Sequence, residues 1–289
     1  MNKKTCVITG ATGLIGSGLV DVLERDYEIH AVARTPGPRR SGVHWHSIDL
    51  ATDCRLDTLP RRVDGVVYLA QSEFFRDFPQ HGPDVFQVNT VNLLRFLDYA
   101  WKAGASHFVY ASSGGVYGSG DVRMSEDIQI PAHGGLGFYL STKLSAEIIA
   151  KNYSSFFNFV SLRFFFVYGP AQRKSMLIPR LIQRVRDGQP LLLQGLDGIR
   201  LNPTHVSDAA AATRCALEIE GSHIINVGGP DILNMREIGT MIGHFVGKSP
   251  IFDIDEKSQP GHLIADIDKM SSLLVYPKMG FSDGLRTML

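Results

Sequence analysis

The sequence predicts an α/β fold: a parallel sheet with helices on both faces, followed by a smaller carboxyl-terminal α/β lobe. Three observations carry this. Short β-branched runs alternate with helical stretches through the first half of the chain. A glycine-spaced turn, Gly10-Ala11-Thr12-Gly13-Leu14-Ile15-Gly16, joins the first such run to the first helical stretch. From Gly169 onward the pattern breaks into short isolated pieces.

Taken in order, strands are expected at residues 5–9, 28–33, 43–48, 65–69, 107–111 and 159–166, each apolar on both faces as a covered sheet requires. The helical periodicity falls at 14–25, 85–103 and 139–153. After the loop Tyr168-Gly169-Pro170 come a helix at 176–186, the strand fragment 190–195, and pieces at 224–227 and 235–246. This divides the chain into a dinucleotide-sized domain, 1–168, and a lobe, 169–289, closing over the carboxyl ends of the sheet, with some exchange of chain between them.

With 29 Lys+Arg against 29 Asp+Glu, the charges cancel, which removes the electrostatic argument for nucleic acid or an anionic membrane surface and points to a small-molecule ligand. Cys6, Cys54 and Cys215 lack the paired spacing of a disulfide framework or zinc site, so a reducing cytoplasm and no metal centre are expected. Two lysines run directly into the first strand, too abruptly for a signal peptide, and no apolar run reaches the roughly 20 residues of a membrane helix. A soluble protein is expected.

Strand, glycine turn and helix in succession form a phosphate cradle, because glycines let the backbone approach a pyrophosphate and the helix end supplies free N–H groups and a positive dipole. The architecture is therefore a Rossmann-type doubly wound sheet. At the end of the second strand, where a carboxylate would bond the adenosine ribose and repel a 2′-phosphate, stands Arg34, followed by Arg39 and Arg40. NADP is thus the expected cofactor, with NAD as the alternative. Asp49 closes the third strand, placed either to accept from the adenine amino group or to make a turn.

Tyr139 and Lys143 lie four apart on one helix face, and Ser113 follows the fifth strand. A phenol with reference pKa near 10 acts as a base near neutrality only after a shift of about 3 units, which nearby positive charge favours. These residues suit hydride transfer at a secondary alcohol or ketone.

The chain here resembles the extended short-chain dehydrogenase/reductase family of nucleotide-sugar epimerases, dehydratases and 4-ketoreductases. The matching pieces are the Gly10/Gly13/Gly16 turn, Asp49, Val67-Tyr68-Leu69-Ala70, Asn89, Ser113 to Gly118, Tyr139 with Lys143, Leu162-Arg163 leading to Tyr168-Gly169-Pro170, and His205 to Asp208. The resemblance implies Tyr139 as acid/base, Lys143 as its activator and ribose ligand, and Ser113 as donor to the substrate oxygen. It implies cofactor contacts from Gly10, Thr12, Gly13, Leu14, Ile15, Gly16, Arg34, Asp49, Leu50, Leu69, Ala70 and Phe164. Helices 85–103 and 139–153 either form the dimer bundle common among such relatives or turn their apolar stripes only to the sheet.

Departures from the family pattern narrow the chemistry. Gly114 and Gly115 stand where dehydratases carry an Asp-Glu pair, and no cysteine marks a double epimerase. Phe166 replaces an asparagine that serves the sugar-nucleotide pyrophosphate, and Arg200 meets a family arginine only with a one-residue slip. Arg173, Lys174 and Arg180 are candidates for the missing charge, with Ser113, Gly114, Phe166, Arg173 and Arg200 as the substrate set. His205 and Asp208 read as strand-end and cap residues.

The expected function is an NAD(P)-dependent sugar epimerase or 4-ketoreductase. The alternatives are an NADPH-dependent reductase of a non-sugar ketone, which Phe74, Phe75, Phe78 and Phe166 would suit, and a non-catalytic dinucleotide sensor.

Overall fold

The computed structural model describes residues 3–52, 55–130 and 135–289, so Cys54 lies outside the described residues. The main sheet holds β1 (Lys4–Thr9), β2 (Tyr27–Ala33), β3 (Val43–Ser47), β4 (Gly65–Tyr68), β5 (His107–Ser113), β6 (Asn158–Phe164) and β7 (Ser222–Val227). All pairings are parallel, in the order β3-β2-β1-β4-β5-β6-β7. The direction of winding reverses between β1 and β4, which opens a crevice at the strand carboxyl ends, the place where open α/β sheets hold ligands.

The described helices are α1 (Leu14–Leu23), α2 (Gly82–Phe86), α3 (Asn92–Lys102), α4 (Gly137–Lys151), α5 (Leu177–Arg186), α6 (Val206–Ala216), α7 (Met235–Val246), α8 (Asp268–Leu273) and α9 (Phe281–Arg286). On one face α1 and α6 cover Ile8, Ile29, Val67, Leu162 and Ile225. On the other, α3 and α4 press Phe96, Leu97, Ala146 and Ala150 against Val66, Tyr68, Tyr110 and Phe159. Both faces being covered explains why β4 is buried at every residue.

The third core belongs to the smaller lobe, where α5 and α7 pack Ile178, Leu181, Ile182, Ile238 and Ile242 around Leu191 and Leu193. The lobe boundary is crossed repeatedly. After residue 169 the chain returns to the main sheet, first as α6 beside α1 and then as β7 alongside β6.

Several expectations need correction. The sixth strand ends at Phe164 rather than at 166, because Phe166 adopts φ +42°, a left-handed conformation that no strand continues. Residues 224–227 belong to the main sheet, since Ile225 and Val227 bury against the α1–α6 side. The long helix expected at 85–103 is α2, a π-helical turn at Gln87–Val91, and α3. The π turn carries the buried Asn89, whose carbonyl oxygen accepts from the Ser72 N–H at 3.2 Å and whose amide donates to Thr142 Oγ1 at 3.0 Å. Such turns break the helical hydrogen-bond ladder and are frequent at functional sites.

Candidate active site

The turn between β1 and α1 is built by steric exclusion. Gly10 has φ +67°, and a Cβ there would sit 3.0 Å from the backbone nitrogen of Ala70. A Cβ on Gly16 would lie 2.2 Å from the Gly10 carbonyl, so any side chain forces α1 off the turn. Gly13 donates its N–H to that carbonyl at 2.8 Å and starts α1, and no side chain among the described residues caps the helix. The first-turn amides near Leu14 and Ile15 therefore remain open to an anion, with Thr12 exposed beside them. Thr9 Oγ1 accepts from the Ala70 N–H at 3.2 Å, tying the turn to the end of β4, where Leu69 and Ala70 stand. A crowded cradle of this kind, bare of side chains, fits a pyrophosphate. Gly16→Ala is expected to abolish dinucleotide binding by titration, and retained binding would refute the steric account.

Arg34 follows β2, as the sequence places it, but its guanidinium is engaged: Nη1 donates to Glu73 Oε1, and Arg173 lies 3.7 Å from the other oxygen of that carboxylate. The hydrogen bond and charge of Glu73 raise the Arg34 pKa, and Arg34 in turn lowers that of Glu73. Asp49 Oδ1 accepts from the Ala51 N–H at 3.0 Å, a turn-forming contact that uses one of its two carboxylate oxygens. Leu50 is buried, and its carbonyl accepts from Asn92.

At the carboxyl ends of β4, β5 and β6 the catalytic candidates converge. Lys143 is buried, its Nζ donating to the Ala111 carbonyl of β5 at 2.8 Å and lying 6.0 Å from the centre of the Tyr139 ring. Burial lowers its pKa to about 7, against the opposing pull of the Glu147 carboxylate. Tyr139 is half-buried; desolvation pushes its phenol up to about 12, and the hydroxyl of Ser113 pulls it back. Ser113 ends β5 and its oxygen accepts from the Gly115 N–H at 3.2 Å, which holds it at the mouth of the cleft. Phe164 closes β6 alongside, nearly fully buried.

The Lys143 shift has a stability consequence. In the unfolded chain this lysine keeps its proton to about its ordinary value of 10.5, whereas the folded chain releases it near 7. The unfolded state binds more protons in that window, so stability rises with pH across it. Lys143→Met is expected to flatten this rise in denaturant titrations, and an unchanged slope would remove the burial argument.

Three residues that the sequence reasoning passed over, Gln71, Glu73 and Glu147, complete the site together with Phe75, which it named only for a non-sugar ketone. Gln71 accepts from the Tyr139 hydroxyl at 3.0 Å, and Phe75 packs against the same ring at 5.1 Å between centroids. With Glu73, they lie just beyond the carboxyl end of β4, so the switch-point rule was the signal that pointed to them. Glu147 continues the Tyr139–Lys143 stripe by one more turn of α4 and forms a two-pronged pair with Arg163, at 3.1 and 2.7 Å. Both are 4% exposed, and the Arg163 guanidinium also lies 4.7 Å from the centre of the Tyr117 ring.

The substrate candidates separate. Gly114 is a packing requirement, since a Cβ there would lie 2.4 Å from the Phe165 ring. Arg173 is exposed but joined to the cleft through Glu73. Phe166 packs into the small-lobe core, while Lys174 and Arg180 are exposed. Arg200 is exposed on a short strand, Arg200–Leu201, its N–H bonded to His262 Nδ1 at 3.0 Å. His205 caps α6 through Ser207, and Asp208 accepts from the N–H groups of Lys278 and Met279, so both are structural.

A family model described as the NAD dependent epimerase/dehydratase family matches residues 6–228. The chain belongs to this family. It is an enzyme of the extended short-chain dehydrogenase/reductase type. Among the family members it resembles is a protein of Bacillus subtilis named as an uncharacterized UDP-glucose epimerase, 28% identical and covering 96% of this chain and 95% of the relative. Two solved structures superpose over 98% of this chain and 97% of their own. One is MoeE5 in complex with UDP-glucuronic acid and NAD, 30% identical with a TM-score of 0.86. The other is the UDP-glucuronic acid 4-epimerase of Bacillus cereus in complex with the same two ligands, 28% identical with a TM-score of 0.86. No helix among the described residues is long and apolar enough to cross a membrane.

Proposed function

We propose that this enzyme is a UDP-sugar 4-epimerase. The observation that carries the proposal is the convergence of Tyr139, Lys143 and Ser113 at the carboxyl end of β5, in a chain that superposes over 98% of its length on a UDP-glucuronic acid 4-epimerase. A bound oxidised nicotinamide dinucleotide supplies the hydride acceptor and a positive charge beside the phenol. The residues of the chain do the rest. Ser113 donates to the substrate oxygen and fixes the reacting carbon against the sheet. Tyr139 removes the hydroxyl proton as hydride leaves that carbon, and returns the proton when hydride comes back to the opposite face. Lys143, anchored on the Ala111 carbonyl, sets the potential at the phenol.

The pairing of Arg34 with Glu73 bears on cofactor choice. An exposed pair of this kind is worth under about 1 kcal/mol, so what counts is the carboxylate left beside any 2′-phosphate. We infer that NAD is preferred over NADP, the choice that Arg34 alone suggested. Titration of the apo protein should give at least roughly tenfold tighter binding of NAD, and Glu73→Gln should raise NADP affinity. Tighter NADP binding by the wild type would reverse the assignment.

A 4-ketoreductase is the second reading, one that Arg34 would support only where its guanidinium exchanged Glu73 for a 2′-phosphate, and tighter NADP binding by the wild type would revive it. The same proposal puts the enzyme in the cytoplasm, as a homodimer through α3 and α4, where Leu94, Trp101 and Ile148 are exposed. Light scattering should return twice the mass of 31.8 kDa, and a monomer at micromolar concentration would reject the pairing.

A further inference from the structure

The sheet edge farthest from the catalytic cleft carries a second cluster of chemistry-bearing side chains. Glu28 and His30 are two apart on β2, and His44 and His46 two apart on β3, so strand alternation turns each pair to one face. The register pairs His30 with His44 and Val32 with His46, which makes that face the same for both strands. Opposite, Ile29, Ala31 and Val43 enter the core beneath α1.

The four side chains form two hydrogen-bonded pairs set side by side. His44 Nε2 is 3.0 Å from Glu28 Oε1, and His30 Nδ1 is 2.9 Å from His46 Nε2. The His30 and His44 rings stack at 4.9 Å, and one donor atom from each of Glu28, His30 and His44 falls within a 4.8 Å group. Donors held at 2.0–2.2 Å by one tetrahedral ion stand roughly 3.3–3.5 Å apart. Modest side-chain rotation therefore brings these three onto a single ion.

The geometry points to a divalent transition-metal site formed by Glu28, His30 and His44. His46 is its positioning residue: it holds His30 Nδ1, which leaves Nε2 as the ligating atom, in the manner of outer-shell partners that fix imidazole orientation. Two imidazoles and a carboxylate suit Zn2+ and its neighbours Co2+, Ni2+ and Cu2+, and not Mg2+ or Ca2+. Bound there, the ion staples the edge strand β3 to β2, whose carboxyl ends lead to Asp49 and Arg34.

The test uses the full chain without a histidine tag, titrated with Zn2+ against a chromophoric chelator and with Co2+ followed by its d–d absorption. One Zn2+ per chain is expected, with Co2+ bands of a nitrogen and oxygen ligand set, and with no effect of Mg2+. His44→Ala and Glu28→Gln are surface changes that should leave dinucleotide binding intact while weakening Zn2+ at least 100-fold and about tenfold respectively; His46→Ala should cost between 10- and 100-fold. Thermal stabilisation by Zn2+ should vanish in His44→Ala. Absence of stoichiometric binding, or wild-type affinity in His44→Ala, would overturn the site.

Discussion

Tyr139→Phe is expected to fold, to bind the dinucleotide as the wild type does, and to lose at least about 10²-fold in turnover. The substitution removes only the hydroxyl. The Phe75 packing and the position of the ring on α4 remain, and Gln71 at the mouth of the cleft returns to solvent contact. Loss of turnover then reports proton transfer and nothing structural. The effect should be on kcat with KM little changed, because the phenol acts in the transition state more than in binding. Steady-state kinetics with a dinucleotide titration check both halves. Near-wild-type turnover would remove Tyr139 from the chemistry.

The second large effect is expected at the other end of the same helical stripe. Glu147→Gln leaves Arg163 with its charge buried and unpaired, a change that typically costs about 3–5 kcal/mol. It also removes the carboxylate that supports the Lys143 charge, so the lysine pKa should fall further below about 7. Exchanging both partners, as Glu147→Met with Arg163→Leu, should restore much of the lost stability, since apolar replacements of buried pairs are often tolerated. Denaturant midpoints of the singles and the double measure the coupling. A Glu147→Gln protein as stable as the wild type would mean that the pair is solvated and that α4 is held by other contacts.

What could be read from the sequence was local. The turn at Gly10, Gly13 and Gly16 shows itself because strand, turn and helix are contiguous, and the steric reasons for those glycines lie within a few residues, apart from Ala70. Tyr139 and Lys143 announce themselves by helical spacing. Elements set by distant contacts did not. The π turn at Gln87–Val91 exists where Asn89 reaches Ser72 and Thr142, and nothing in its own residues requires it. β7 joins the main sheet by pairing with β6 across more than fifty residues of chain, whereas its sequence reads only as another short apolar piece. The same limit governed Arg34. Its place after β2 was evident, but the Glu73 that meets it arrives from the far side of the switch point. The histidines on β2 and β3 were likewise mute until the strand register set them face to face.

The central claim, epimerisation at a sugar carbon by hydride removal and return, is tested most directly by supplying UDP-glucuronate with a catalytic amount of NAD. The 4-epimer should be separated and quantified while nicotinamide absorbance is followed. The account predicts epimer in large molar excess over cofactor, with no net change in absorbance. Stoichiometric conversion of the cofactor with each turnover, or a 4-ketosugar reduced at the expense of NADPH without epimer formed, would contradict it.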